Sequence, residues 1–298
     1  MPHKHDIHNY NRSFAIGITL NVIFVVVEAG YGFVADSLAL IADSGHNLSD
    51  VITLLLAWGA SRLATKTPTE NRTYGFRRIT ILASLLSAIL LLLALGAIAW
   101  EALGRFFTPQ PVNGMLVITI AAIGVVINTA TALLFATGQK HDLNIRSAYL
   151  HMAADAGISL GVVVAGIAIM LSGWLWLDPL ISLLIVLVIL VGAWGLFKDS
   201  VNLSIDVVPP GIDISAIKDY LAKIDNVSAL HDLHVWALST SETALTVHLV
   251  TTNDVRDNAF LQKIQQHLHD TFGIEHATIQ IENDDNENLC ILNRAKCI

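Results

Sequence analysis

Two short stretches of this chain set an imidazole and a carboxylate four residues apart: HNLSD at His46–Asp50 and HMAAD at His151–Asp155. On an α-helix such a pair shares one face, with Cβ atoms about 5–6 Å apart, so each stretch can grip a single ion. Two such helices supply four ligands. A set of two imidazoles and two carboxylates suits tetrahedral Zn2+, with Zn–N about 2.0–2.1 Å and Zn–O about 2.0–2.2 Å, and lacks the six or more oxygens that Ca2+ prefers. Imidazole argues against Mg2+ and Mn2+ and leaves Zn2+, Co2+, Ni2+ or Cu2+ open. Asp43, one turn ahead of His46, is placed either to hold that imidazole from behind or to make a structural bond near the helix end.

The surroundings make these groups costly. SLALI precedes the first stretch and VITLLLAW follows it, so ionisable side chains sit inside what reads as lipid-facing helix. Intramembrane His and Asp also act as polar glue between helices. Two matching pairs in spans with little other charge favour a joint site over that plainer role. Glu28, Asn21 and Asn128 read as structural or pathway-lining.

The elements that must position the pairs follow from composition. Of 298 residues 54% are hydrophobic and 14% charged, and the mean hydropathy is +0.60; soluble domains carry about 25% charged residues. The chain is an integral membrane protein, polar only from about Asp213 onward. Six apolar segments can each cross about 30 Å of hydrocarbon: Phe14–Val34, Leu38–Leu63, Ile79–Trp100, Val112–Ala136, Ala148–Leu171 and Leu180–Phe197. The first exceeds a signal-peptide core of about 7–15 residues and is expected to be retained.

Lys4, Arg12, Arg62, Lys66, Arg72, Arg77, Arg78, Lys140, Arg146 and Lys198 all fall on one side of these spans, and only Arg105 on the other. The positive-inside rule then puts both termini in the cytoplasm. Three spans followed by three more, each half with one His-x-x-x-Asp, suggest an inverted repeat. With about 1.5 Å per residue, His46 and Asp50 lie roughly 16 and 10 Å above the inner face, and His151 and Asp155 roughly 8 and 14 Å above it. Those depths permit one shared ion.

The polar portion alternates as α-β-β-α-β: a helical stripe through Ile214, Ile217, Leu221 and Ile224, strands at LHDLHVWAL and ALTVHLVTT, a helix over 255–271, and a strand at HATIQIE. Its balance is acidic, against a nucleic-acid partner. An enzyme is not expected. A metalloenzyme would need an open coordination position and a nearby base, and HExxH is absent.

SLALIADSGHNLSD, RTYGFRR, NIRSAYLHMAADAGISLGVVV, DPLISLLI and HDLHVWAL together resemble the landmarks of the cation diffusion facilitators, and most closely their bacterial zinc-exporting members. The resemblance implies a homodimeric metal/proton exchanger of the bacterial inner membrane, with six transmembrane helices and a C-terminal cytosolic ferredoxin-like domain. Expected boundaries are a tail at 1–13, the membrane domain at 14–205, the ferredoxin-like domain at 206–284 and a second tail at 285–298. It carries the transport site onto His46, Asp50, His151 and Asp155, with a His at the first position associated with preference for zinc. It also implies regulatory zinc in the cytosolic domain, where His231 and His248 match ligand positions while Gln280 and Glu282 stand where some relatives place His and Asp, so that His231, His248 and Glu282 are the candidate ligands, and a charge pair between Arg78 and Asp206.

The chain departs from relatives that carry a metal site between spans two and three: Thr69, Arg72 and Phe76 stand at the matching positions and cannot ligate a cation, so no site is expected there. The loop before span five offers only His141, where many relatives have a His-rich loop. His3, His5 and His8 could collect zinc or form a plain polar tail. Cys290 and Cys297 lie on the reducing side, where a disulfide is not expected; they could cap a metal site or remain free thiols.

Zinc needs neutral imidazole and ionised carboxylate, so metal and protons compete for the same atoms. Histidine titrates near physiological pH, and a carrier exposing the site to one side at a time would turn that competition into exchange. The rival function is a membrane metal sensor using the same ligands without transport.

Overall fold

The computed structural model describes residues 7–136, 143–252 and 258–283. His3, His5, His141, Cys290 and Cys297 lie outside them, as does the side chain of His8. Six long helices come first: α1 (Ile7–Ala35), α2 (Leu38–Ala64), α3 (Ile79–Phe107), α4 (Gly114–Phe135), α5 (Leu143–Ser172) and α6 (Leu177–Ser204). Four contain stretches long and apolar enough to cross a membrane, at Ile79–Phe107, Gly114–Leu134, Tyr149–Ser172 and Leu177–Ser204. α1 contributes the apolar stretch Val22–Ala35, and α2 has the length but is interrupted by Asp43, His46 and Asp50.

One compact unit joins the residues up to Leu55 with Ser87–Gly195. Its core is apolar and continuous, with Phe24, Leu40, Leu95, Val117, Val162 and Ile189 buried together. α4 and α5 approach closely because glycines line the contact. A Cβ on Gly166 would stand 2.8 Å from Ile118 Cγ1, and one on Gly124 would stand 2.8 Å from the Phe24 ring and 3.2 Å from Ser159 Oγ. In lipid, where no hydrophobic force pulls helices together, such close packing is what holds them.

The turn from α1 to α2 is tied by polar groups. Asp36 adopts φ +53°, and Arg105 of α3 donates to its carbonyl at 2.6 Å and its carboxylate at 2.7 Å. Asp178, in the first turn of α6, accepts from Ser37 Oγ, from Leu38 N at 2.8 Å and from Ala39 N at 3.3 Å. A carboxylate from another helix thus caps α2, satisfying amides that have no partner within their own helix. Asn113 caps α4 by accepting from Leu116 N at 3.2 Å, so that helix starts two residues later than the apolar run beginning at Val112.

The other unit comprises Leu56–Leu86 and the chain from Leu196 onward. It includes α7 (Ile214–Ala222), β1 (Val227–Ala237), β2 (Thr243–Thr251), α8 (Asn258–Phe272) and β3 (Ile274–Asn283), the α-β-β-α-β order of a ferredoxin-like module. Asp213 starts α7 by accepting from Ser215 N at 2.9 Å and Ala216 N at 3.1 Å. The sheet runs β1-β2-β3, antiparallel then parallel. Side chains alternate across a strand, so Leu245, Val247 and Leu249 pack with Ile217, Leu221, Ile264 and Leu268 while His248 points the other way.

Candidate metal centre

α2 and α5 each present one His-x-x-x-Asp pair to the same space. His151 Nε2 lies 3.0 Å from Asp50 Oδ2 and 3.6 Å from Asp155 Oδ2, and His46 Nε2 lies 3.8 Å from both Asp50 Oδ2 and Asp155 Oδ1. The imidazole rings meet edge-on with centroids 5.8 Å apart. Ligands on the corners of a tetrahedron about 2.0–2.2 Å from its centre stand about 3.3–3.6 Å from one another, and the four separations straddle that range. Counting residues along each span brings His46 near the depth of Asp155 and puts Asp50 between His151 and Asp155. The Asp155 side chain is 2% exposed and that of His151 42%, so the cluster has a closed and an open flank. His46 Nδ1 and Asp155 Oδ2 are buried without a hydrogen-bond partner.

Asp43 does not bond to the His46 ring. Its Oδ2 accepts from Ser159 Oγ of α5 at 2.9 Å, and it faces Glu28 of α1. Glu28 also faces Asn47, and both acids are fully buried. Asn128 is buried with neither amide atom bonded.

In the sheet unit a second group converges. His231 and His248 are register partners on β1 and β2, with ring centroids 5.0 Å apart. Glu282 of β3 accepts from His248 Nδ1 at 2.8 Å and stands 3.5 Å from His231 Nε2. One ligand atom from each of the three lies within 4.8 Å of the others. A register shift between His231 and His234 leaves Asp232 at φ +52° and swings its carboxylate to 3.6 Å from His248 Nε2. Asp232 was visible in the sequence only as one acid among several, because alternation along a regular strand would turn it away.

The remaining imidazoles of this unit have other neighbours. His267 stacks on Tyr220 at 4.0 Å, His276 meets Tyr74 edge-on at 5.6 Å, and His234 bonds Asp232 at 2.9 Å. His269 lies 2.9 Å from Asp270 and 3.5 Å from Glu275; the bond to Asp270 first, then the charge of Glu275, hold its imidazole above the ordinary range. Arg78 and Asp206 are in direct contact, both about half exposed. Two further contacts, which no motif signals, are Arg77 with Glu242 at 3.2 Å and Thr240 N donating to Thr80 Oγ1 at 3.1 Å. At the connector positions, Thr69 and Arg72 pair as an isolated bridge and the Arg72 guanidinium stacks 4.5 Å over Phe76.

Comparison with known proteins adds the following. The cation efflux transmembrane domain matches residues 14–203, and the cytoplasmic domain of cation efflux proteins matches residues 209–284. The zinc transporter ZitB of Escherichia coli K12 is 38% identical over 271 residues, covering 90% of this chain and 86% of that protein. The cadmium, cobalt and zinc/H(+)-K(+) antiporter of Bacillus subtilis 168 is 35% identical over 299 residues, covering 97% and 96%. The metal cation efflux system protein CzcD of Cupriavidus metallidurans is 35% identical over 282 residues, covering 94% and 89%. The solved metal-bound C-terminal domain of the CzcD transporter from that organism is 36% identical and covers 24% of this chain and 99% of that one, with a TM-score of 0.23.

Proposed function

This chain belongs to the cation efflux, or cation diffusion facilitator, family of multi-pass metal-ion transporters, and from that premise we propose that it exports Zn2+ from the cytosol in exchange for H+ through a site made of His46, Asp50, His151 and Asp155. The observation that supports this is that α2 and α5 bring the four side chains to His–Asp separations of 3.0–3.8 Å, around the edge length of a zinc tetrahedron, with ligand atoms of His46, His151 and Asp155 within 4.8 Å of one another and Asp50 reaching them through His151. Zinc, here the cargo, requires the imidazoles neutral and the carboxylates ionised, so protons arriving from outside displace it and return inward on the emptied ligands. The bias of Lys and Arg to one side supports an orientation with both termini, and with them the His231–His248–Glu282 group, in the cytoplasm of a bacterial cell. Asp232 joins that group as a fourth donor for a regulatory zinc ion. The active species is a homodimer, a reading supported by the match of residues 209–284 to the cytoplasmic dimerisation domain of cation efflux proteins.

Proteoliposomes loaded to impose a pH gradient test this directly. Wild type accumulates radioactive zinc with the gradient, while Asp50→Ala and Asp155→Ala do not. Undiminished flux in both variants refutes the site, and zinc binding without movement in the wild type refutes transport.

A further inference from the structure

Among the described residues, Glu28 and Asp43 are two buried acids that neither this mechanism nor, as with Asp178, a helix cap uses. Both are 0% exposed. Glu28 Oε1 and Oε2 and Asp43 Oδ1 have no hydrogen-bond donor, although the two side chains face one another. An ionised carboxylate only accepts, so two of them together offer acceptors with nothing between; a single proton would supply the missing bond. The other polar groups facing them are neutral Asn47 and Ser159, and the next charge is Asp155, of the same sign. α4, which packs against α1, contains no charged residue. Like charges facing each other out of water do not both ionise.

The pair is also close to the proposed zinc ligands without being bonded to them. Asp43 lies three residues from His46 along α2, and its partner Ser159 lies four from Asp155 along α5, an offset of about one helical turn, near 5 Å. A divalent charge at that range favours the ionised form of both acids. We propose that Glu28 and Asp43 share one proton in the metal-free protein and release it as Zn2+ enters the neighbouring site, so that part of the counter-transported charge is stored outside the ligands. The proton leaves as H+ to the water from which the metal came and is replaced from the opposite side after the metal departs. This rests on the transport site proposed above.

The test counts protons. Full-length protein in detergent is titrated with ZnCl2 by calorimetry in buffers of different ionisation enthalpy, for wild type, Glu28→Gln, Asp43→Asn and Asp155→Ala. Glu28→Gln is expected to retain zinc binding at the site, to release about one proton fewer per zinc, and to flatten the pH dependence of log Kd by about one unit of slope. In infrared difference spectra, zinc removes a carboxylic-acid C=O band from the wild type that neither Glu28→Gln nor Asp43→Asn has to lose. Unchanged proton release and an unchanged band in both variants overturn the proposal and leave the transport site intact. Equal zinc binding and proton release in wild type and Asp155→Ala overturn the transport site, and the proposal with it. If neither variant folds, the wild-type spectrum decides: no acid band lost on zinc addition overturns the shared proton.

Discussion

Two clusters in this molecule are built from the same pair of chemistries and differ in how they are held. The group on α2 and α5 has its shortest His–Asp separation at 3.0 Å and keeps an open flank at His151, whose side chain is 42% exposed. On the sheet, the His231–His248–Glu282 group is closed, its side chains 11–19% exposed, and already knit by a 2.8 Å bond. Helices are joined through side chains and can shift against each other, whereas β2 and β3 are fixed to neighbours by backbone ladders. A site that must load and unload is better served by the first arrangement, and one that holds its ion by the second.

The contrast breaks most visibly in transport. Asp155→Ala should lower zinc flux in proteoliposomes by roughly 100-fold or more, since losing even an outer-sphere partner of a metal site costs about 10–100-fold, while His248→Ala should leave initial flux within about threefold. Equal losses would mean that the sheet cluster is part of the pathway. Zinc at roughly 100 times its Kd should then slow amide hydrogen exchange in residues 227–251 of the full chain by about 100-fold, equivalent to about 2.7 kcal/mol. Chelation or His248→Ala should abolish the effect, and Asp155→Ala should not. His46→Asp sharpens the helical side of the comparison: exchanging an imidazole for a carboxylate should reduce the preference for zinc over manganese by about tenfold, read by competition for uptake. Smallest of all is Arg78→Ala. Its partner Asp206 is 52% exposed, and such solvated pairs contribute at most about 1 kcal/mol, so thermal unfolding should move little.

The helical site was more legible in the sequence than the sheet site, for a physical reason. Spacing of four residues fixes a face on a helix, and membrane thickness limits depth, so counting gives the His46–Asp50 and His151–Asp155 pairs overlapping depths. Rotation of one helix against another leaves no such trace, which is why Glu28 facing Asp43 could not be foreseen. The six expected spans correspond to six helices, but α1 starts at Ile7 and α6 runs to Ser204. Hydropathy reports only where lipid is met, and a helix continues past it as long as its hydrogen bonds are satisfied. On the sheet, a period of two identified the strands yet misdirects at Asp232, because one register irregularity exchanges faces.

The capping of α2 by Asp178 ties together segments 140 residues apart in sequence. Since Asp178 satisfies amides that α2 cannot satisfy alone, and Arg105 clasps the adjoining turn, α2 and α6 share a pivot there. Rocking of either helix is then a lever motion with its fulcrum at this knot. Displacement would be least beside Ser37 and would grow along α2, past the rung where His46 and Asp50 stand.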